Sequence, residues 1–477
     1  MSAEALLEQL AGGQITSVVV TKAYLQRAAL ASRLTNCATE LLSERALERA
    51  AYLDDTLHRT KVPVGPLHGL PVSVKEHIGM RGLDLNGSFI SAIGTVAKED
   101  AYVLQLLWNA GCVFYVRTTQ PQAIMHLETD NNIYGVTTNP YNTNLSSGGS
   151  SGGEGALLGL RGSCLGVGSD IGGSVRNPAA NNGVFGLRPT AYRLPLEGCG
   201  PPQIGAEQIV PIIGPLSTTL GGINTFMKAI IDQQPWLYDS TLVPLPWKDP
   251  YTNTLLRTTA DRRRLKIGVL ADDGIVKPHP PILRAIDMIT ARLKRNPDIE
   301  VIDFPPYKHD EAWRIISSLY FPDGGAEEAQ AINASGEPWL PLTDFIIKEN
   351  ANCKLLSIPE LWQLTRERDE YRAAYSQHWN SVGTDLLAAG PPNVRAADHL
   401  DDFVDVILTP VGPGCATPHG CARYWGYTSQ WNLLDYPALA FPTGLVVSSK
   451  DEAEIGYKSR NPDDEYNYKL CRFDDYA

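Results

Sequence analysis

Serines, glycines and one lysine are the residues of this chain whose types and spacing could do chemistry. Residues 146–190 are rich in glycine and serine, yet leucines and valines are spaced among the glycines. A flexible Gly/Ser linker would be repetitive and free of apolar residues. Because glycine lets the backbone approach a ligand closely, this composition favours a packed catalytic loop whose N–H groups face a reacting group. A purely structural crossover is the alternative.

Two kinds of binding loop do not fit this segment. A phosphate-binding loop needs Lys-Ser or Lys-Thr after its glycines; none follows here, and Glu154 would repel a phosphate. A dinucleotide-binding loop needs G-x-G-x-x-G between a strand and a helix, and the glycines of residues 166–172 are spaced differently. Nucleophilic serine chemistry is therefore the remaining class.

One serine motif supports an alternative. Residues 148–152 read GGSSG and match the G-x-S-x-G motif of α/β-hydrolases. That motif must follow a buried strand, whereas here it follows a polar loop. An α/β-hydrolase-like serine esterase, with Asp405 and His419 completing a triad, is kept as the second hypothesis.

Ser174 is the better candidate nucleophile because it follows the segment Asp-Ile-Gly-Gly at residues 170–173. Consecutive backbone N–H groups beside a nucleophile can hold the oxyanion that forms during acyl transfer. A serine hydroxyl also needs an adjacent base to take its proton, and Lys75 could act directly or through Ser150. The N–H groups expected to form the oxyanion hole are those of Ile171, Gly172, Gly173 and Ser174.

Lys75 ends a short strand pattern in which Val72 and Val74 alternate with Ser73. Two interpretations are open at this point. An isolated lysine at a strand end usually reaches solvent from the edge of a sheet. A buried lysine is favoured in its neutral form by desolvation and can serve as a general base near pH 7.

The surrounding pattern of helices and strands predicts an α/β fold. Helices are expected over residues 2–11, 16–34, 43–58, 99–109, 282–294 and 360–381. Strands are expected over residues 72–75, 112–117, 265–270, 301–304, 404–409 (buried) and 439–447. Residues 192–215 are expected to be rich in loops.

Composition excludes several classes of protein. The chain has 477 residues, of which 43% are hydrophobic and 20% charged, and its net charge of −12 argues against nucleic acid or an anionic membrane surface as a partner. No signal peptide and no apolar run of membrane-spanning length is recognised. The eight cysteines lack a regular spacing, which suits reduced thiols. We therefore expect a cytoplasmic protein without a membrane span, and leave a homodimer open.

A metal site is not expected. Cys415, His419 and Cys421 lie close together, but in a loop rich in proline and glycine and without a second ligand pair.

The motifs taken together resemble the amidase signature family. Residues 148–155 (GGSSGGEG) and 170–178 (DIGGSVRNP) follow its signature, and residues 67–76 (LHGLPVSVKE) resemble its lysine strand. Residues 424–439 (YWGYTSQWNLLDYPAL) are similar to the acetamidase-like branch found in fungi. The resemblance covers most of the chain and is strongest over residues 62–190 and 403–445.

The resemblance implies an amidase that hydrolyses a small or medium carboxylic amide to an acid and ammonia or an amine. Its catalytic groups would be a Ser–cis-Ser–Lys triad. Lys75 would be the base, Ser150 the bridging serine after a cis peptide bond, and Ser174 the nucleophile that forms the acyl-enzyme. No metal ion or cofactor is implied.

Further roles follow from the same resemblance. Ile124, Ser150 and Ser151 would contact the substrate, with Ile124 lining its cavity and Ser151 adding a supporting hydrogen bond. Asp170 and Arg176 would brace the loop rather than react.

The implied fold is a single α/β domain over residues 1–477, with a central mixed, twisted β-sheet covered by helices on both faces. Within it, residues 62–190 would form the catalytic core, 191–400 a variable substrate-pocket region and 401–477 a closing segment. The family's pattern continues with an apolar strand beyond that segment, so a shortened, weakly stable or non-catalytic amidase-like protein is the rival expectation.

Overall fold

Two β-sheets and the helices packed on them form the protein. The structure, a computed structural model, describes residues 1–200, 202–248, 264–382, 403–448, 451–452, 454 and 456–471. Its strands are β1 (Ala38–Leu41), β2 (Pro71–Lys75), β3 (Val113–Thr118), β4 (Leu165–Asp170), β5 (Phe185–Arg188), β6 (Ile212–Ser217), β7 (Leu265–Val269), β8 (Ile299–Asp303), β9 (Val406–Leu408) and β10 (Ala438–Ala440).

The helices surround these strands. The α-helices are α1 (Ala3–Ala11), α2 (Ser17–Thr35), α3 (Ser43–Thr60), α4 (Tyr102–Asn109), α5 (Gly152–Gly159), α6 (Arg176–Asn181), α7 (Leu220–Ile231), α8 (Pro280–Leu293), α9 (His309–Tyr320), α10 (Ala326–Ser335), α11 (Pro341–Thr343), α12 (Ile358–Ser381), α13 (Gly426–Leu434) and α14 (Pro462–Lys469). Shorter helical turns are Ile90–Ala92, Gln122–Ile124, Pro235–Leu237 and Asp344–Lys348. None of the helices in these described ranges is both long and apolar enough to cross a bilayer.

The larger sheet has seven strands in the order β1-β3-β2-β4-β6-β5-β10. Strand β2 is parallel to both of its neighbours, β3 and β4, whereas the other pairs are antiparallel. Every residue of β2, β3 and β4 is buried, as expected for strands covered on both faces. The predicted mixed central sheet is therefore confirmed.

Helices cover both faces of this sheet. Alternate residues of a strand point to opposite faces, and on β3 Phe114 packs with residues of α1, α4 and α7. Its neighbour Tyr115 packs with residues of α2, α3 and α5 on the other side. The helices α1 and α2 begin where polar side chains cap them, since Ser2 and Thr16 accept N–H bonds from Ala5 and Val19. The predicted helices in this part of the chain are confirmed within a few residues.

The smaller sheet is parallel, in the order β8-β7-β9. Helices α9, α12 and α13 contribute to a second apolar cluster that also takes in residues beside this sheet. The predicted strands near 265–270 and 301–304 and the helices near 282–294 and 360–381 are confirmed.

Three predictions for the part of the chain after residue 190 differ in detail from the structure. Residues 192–215 are not only loop, because β6 begins at Ile212 and pairs with both β4 and β5. The strand expected over 439–447 is limited to β10, which pairs with β5. The strand expected to be buried over 404–409 is β9, at the edge of the smaller sheet, and its Val406 is 46% exposed.

Candidate active site

Lys75 is the last residue of β2 and lies in the interior of the larger sheet. The adjacent strands β3 and β4 cover it, and its side chain is fully buried. Burial lowers the pKa of the Lys75 ammonium to about 7, although the nearby carboxylates of Asp170 and Glu154 oppose the shift. The interpretation of Lys75 as a solvent-exposed edge lysine is therefore wrong.

Ser150 meets Lys75 from the neighbouring loop. The distance from Lys75 Nζ to Ser150 Oγ is 2.6 Å, and the peptide bond between Gly149 and Ser150 is cis, as the resemblance implied. Gly149 is required here because a Cβ at this position would lie 2.1 Å from the carbonyl oxygen of Glu128. The backbone of Glu128 thus supports the turn that brings Ser150 to the lysine.

Ser151 connects the two serine-bearing loops. Its N–H donates to the carbonyl oxygen of Ser174 at 3.0 Å, and its hydroxyl lies 3.4 Å from the backbone of Ser169. Ser151 is fully buried and is not among the residues that line the cavity described below. Its contacts are those of a structural residue, which differs from the predicted substrate contact.

The loop 170–174 is braced by a buried ion pair. Arg176 donates two hydrogen bonds to the Asp170 carboxylate, at 3.0 and 2.9 Å. Burial alone would raise the pKa of Asp170, but the charge and hydrogen bonds of Arg176 outweigh it and hold the pKa well below its usual range. The same carboxylate accepts the N–H groups of Gly173 and Val175. These contacts agree with a bracing role for both charged residues.

The four N–H groups expected at the oxyanion hole are not equivalent. The N–H of Gly173 donates to Asp170 at 2.9 Å. Within the ranges that the structure describes, the N–H groups of Ile171, Gly172 and Ser174 have no hydrogen-bond acceptor. Three donors beside the Ser174 hydroxyl are therefore available to a ligand.

Helix α13 packs against the loop 170–174, a contact that the sequence did not indicate. The Thr428 hydroxyl donates to the carbonyl oxygen of Gly172 at 2.6 Å. Gly173 has a φ of +135° and its missing Cβ would lie 2.5 Å from Thr428 Oγ1, so only glycine fits. Asn432, also on α13, donates to Asp170 at 2.9 Å. Residues more than 250 positions away in the chain thus shape the loop.

A cavity of about 590 Å³ lies beside Ser150 and the loop that carries Ser174. Ser150, Ser174 and Ile124 all line it. Ser174 is only 3% exposed. The cavity lining also includes two polar residues that sequence reasoning missed, His77 and Ser169.

Glu154, on α5, is a buried carboxyl group behind Lys75. It accepts hydrogen bonds from Ser73 Oγ at 2.6 Å and Thr118 Oγ1 at 2.8 Å. Burial raises the pKa of Glu154 to about 7, against the effect of these bonds. From the sequence, Glu154 was expected only to repel a phosphate.

The residues of the alternative esterase triad lie apart. His419 contacts the carbonyl oxygen of Thr143 at 3.0 Å, whereas Asp405 accepts the N–H of Lys266 beside the smaller sheet. Neither lines the cavity that contains Ser150. The structure also brings no three metal-ligating side chains together in the part of the chain it describes, which includes Cys415 and Cys421.

Comparison with known proteins identifies the family. The amidase family model matches residues 19–462 of the chain. The chain therefore belongs to the amidase signature family and is an amidase, a hydrolase that acts on the C–N bonds of amides.

Named relatives agree with this membership. The chain is 45% identical over 474 residues to a Schizosaccharomyces pombe protein named "putative amidase", covering 99% of this chain and 83% of the relative. It is 38% identical over 458 residues to an acetamidase of Emericella nidulans, covering 96% of this chain and 80% of the relative. Among solved structures it is similar to fatty acid amide hydrolase, with a TM-score of 0.90, 34% identity and coverage of 100% of this chain and 80% of that one.

Proposed function

We propose that this amidase hydrolyses small or medium-sized carboxylic amides through an acyl-enzyme on Ser174, with Ser150 as the bridging serine and Lys75 as the base. The observation that carries the proposal is the 2.6 Å contact between Lys75 Nζ and Ser150 Oγ at the wall of the cavity that also contains Ser174. A serine nucleophile needs a neighbouring base, and burial favours the neutral, basic form of Lys75.

The reaction then proceeds in two halves. Neutral Lys75 takes the proton of Ser150, which in turn takes the proton of Ser174 as Ser174 attacks the amide carbonyl. The oxyanion accepts hydrogen bonds from the N–H groups of Ile171, Gly172 and Ser174. The proton returns through Ser150 to the departing nitrogen, which leaves as ammonia or an amine. Water then attacks the acyl-enzyme carbonyl and gives a proton through Ser150 to Lys75. The bond between the acyl group and Ser174 Oγ breaks, the proton returns through Ser150 to Ser174, and the acid leaves.

The cavity supports an aliphatic acyl group. Its volume of about 590 Å³ lies within the range of small-molecule sites. The relatives' names include an acetamidase and a fatty acid amide hydrolase. We infer that the acyl group of the substrate has a length between two carbons and a fatty acyl chain. The aliphatic residues of the cavity lining include Leu194, Leu196, Ile209 and Leu242.

A hydrolysis screen with primary amides of two to ten carbons tests the proposal. Wild-type protein should release ammonia and the Ser174→Ala variant should not. Labelling by a serine-directed fluorophosphonate should depend on Ser174 in the same way. Full turnover by folded Ser174→Ala protein would refute the assignment of the nucleophile.

The base is tested by comparing two neighbours of the proposed nucleophile. Lys75→Ala should lose activity by about 10²–10⁴-fold, the usual contribution of general base catalysis. Ser151→Ala is the matched control, because Ser151 is also buried in the same cluster but bonds only to backbone. Equal losses in the two variants would count against Lys75 as the base.

A further inference from the structure

His77 is one of the polar residues of the cavity lining that the proposed mechanism leaves unused. It follows β2 two residues after Lys75, is 7% exposed and lines the same cavity as Ser174. Its Nε2 lies 2.7 Å from Ser169 Oγ, and Ser169 Oγ lies 3.1 Å from Lys75 Nζ. With the contact between Lys75 and Ser150, four side chains form one continuous hydrogen-bonded chain.

The far end of this hydrogen-bonded series is His77 Nδ1, which is buried. The backbone of Gly200 acts on the His77 ring and favours a proton on it. This backbone group is therefore the neighbour available to an N–H at the far end.

The numbers of N–H bonds and lone pairs on these side chains assign a direction to each hydrogen bond in the series. A neutral amine has two N–H bonds and one lone pair, so a base competent toward Ser150 must offer that lone pair to the Ser150 hydroxyl. The contact between Lys75 and Ser169 is then a donated N–H. The Ser169 hydroxyl still needs an acceptor for its own proton, and among the described residues the other polar atom in contact with it is His77 Nε2. We therefore assign this proton to a hydrogen bond to Nε2, and the neutral ring carries its own proton on Nδ1.

The surroundings favour these neutral forms. Burial, followed by the charges of Lys75 and Arg117, holds the pKa of His77 well below its usual value, so the ring has one proton and not two. Burial also lowers the pKa of Lys75 to about 7. The other titratable groups that act on Lys75 are Glu76, Glu154, Asp170 and Cys199.

We propose that His77 is a positioning residue of this amidase: through Ser169 it keeps the Lys75 lone pair on Ser150. This inference rests on the proposed Ser174–Ser150–Lys75 triad.

If an apolar residue replaces His77, we expect the hydrogen bonds between Ser169, Lys75 and Ser150 to reverse their direction. Without an acceptor at Nε2, the Ser169 hydroxyl turns to the Lys75 lone pair, the other acceptor that lies within its reach among the described residues. Lys75 then donates to Ser150 and cannot take its proton. Removing the Ser169 hydroxyl as well abolishes this competition.

Four variants test the prediction: His77→Phe, His77→Gln, Ser169→Ala and the double variant His77→Phe/Ser169→Ala. His77→Phe should lower kcat by about 100-fold, within the range of general base catalysis. The double variant should recover at least tenfold of this loss, a coupling that a purely structural role would not produce. His77→Gln, whose side-chain oxygen can replace Nε2 as acceptor, should keep kcat within about threefold.

Two further outcomes separate the hypotheses. An active wild type with an unimpaired His77→Phe, or a double variant no better than His77→Phe, would overturn the role of His77 and leave the triad intact. A wild type that hydrolyses no amide would instead refute the proposed function. Independently of how the variants fold, ¹⁵N spectra of histidine-labelled wild-type protein should show His77 protonated on Nδ1, and a proton on Nε2 would overturn the proposed direction.

Discussion

Lys75 Nζ lies 2.6 Å from Ser150 Oγ at a position where neither side chain is more than 1% exposed. The ammonium form of Lys75 is disfavoured there by lost hydration, and the neutral form is the one that can accept a proton. The sheet interior thus favours the neutral form of Lys75 near neutral pH, the form that the proposed role as a base requires.

The rate of hydrolysis should rise with pH through about 7. The pKa of Lys75 is lowered from 10.5 to about 7, so the neutral base is scarce below that pH and predominant above it. The profile of kcat/KM from pH 5 to 9 reports this group in the free enzyme. A flat profile, or a rise centred near 10, would contradict Lys75 as the base.

Glu154 should make the protein less stable as the pH rises from about 4.5 to 7. Its folded-state pKa of about 7 lies above the ordinary value of 4.5, so the folded state binds more protons in this window and loses stability as they leave. The shift corresponds to about 3 kcal/mol at most.

Glu154→Gln tests this dependence, because glutamine keeps the shape of the side chain and cannot ionise. Urea unfolding of wild type and variant at pH 5 and pH 8 should show the variant gaining stability relative to wild type at the higher pH. If the difference between the two proteins is the same at both pH values, Glu154 is not the titrating group.

Thr428→Val should lower kcat by about tenfold while the protein stays folded. The change removes the hydroxyl that donates to the Gly172 carbonyl at 2.6 Å and loosens the loop that carries the proposed oxyanion donors. The unmade hydrogen bond should cost about 1–3 kcal/mol of stability, measured by urea unfolding.

The control for Thr428→Val is Thr35→Val on α2. Thr35 is equally buried, its hydroxyl donates to the carbonyl oxygen of Ala31 at 2.9 Å, and it does not line the cavity. It should lose similar stability and keep kcat. Equal kcat losses in both variants would show that Thr428 acts only through global stability.

Ile124→Ala should shift the preferred acyl chain to a longer length. Ile124 is 8% exposed and lines the cavity with Ser174, so its truncation enlarges the space for the acyl group. The ratio of kcat/KM for eight-carbon and two-carbon amides should increase about tenfold, because each buried methylene is worth about 0.8 kcal/mol. An unchanged ratio would place the acyl chain elsewhere in the cavity.

Sequence reasoning was most successful where local chemistry decides the outcome. Polar caps at Ser2 and Thr16 begin the first two helices, and the alternation from Val72 to Val74 predicted β2. The long Gly/Ser motif with its distant lysine strand identified the family and the candidate triad. These features depend on residue types at short spacing, which the sequence displays directly.

The fold was least predictable where packing overrides local preference. Helix α5, Gly152–Gly159, contains four glycines that disfavour a helix, and its position under the sheet stabilises it. Strand β6 lies in a region that looked like loop, and it pairs with β4 and β5 on its two sides. Such elements are set by neighbours far away in the chain.

The sequence by itself therefore determined which groups can react: the lysine, the serines and the glycines around them. Tertiary structure alone decided that Lys75 is buried, because that depends on β3 and β4 lying on either side of β2. It also decided that α13 supports the loop before Ser174 and that Ser169 links His77 to Lys75. Desolvation and hydrogen bonding between distant residues arise only when the chain is folded, and they turn these residue types into a proposed base, nucleophile and proton path.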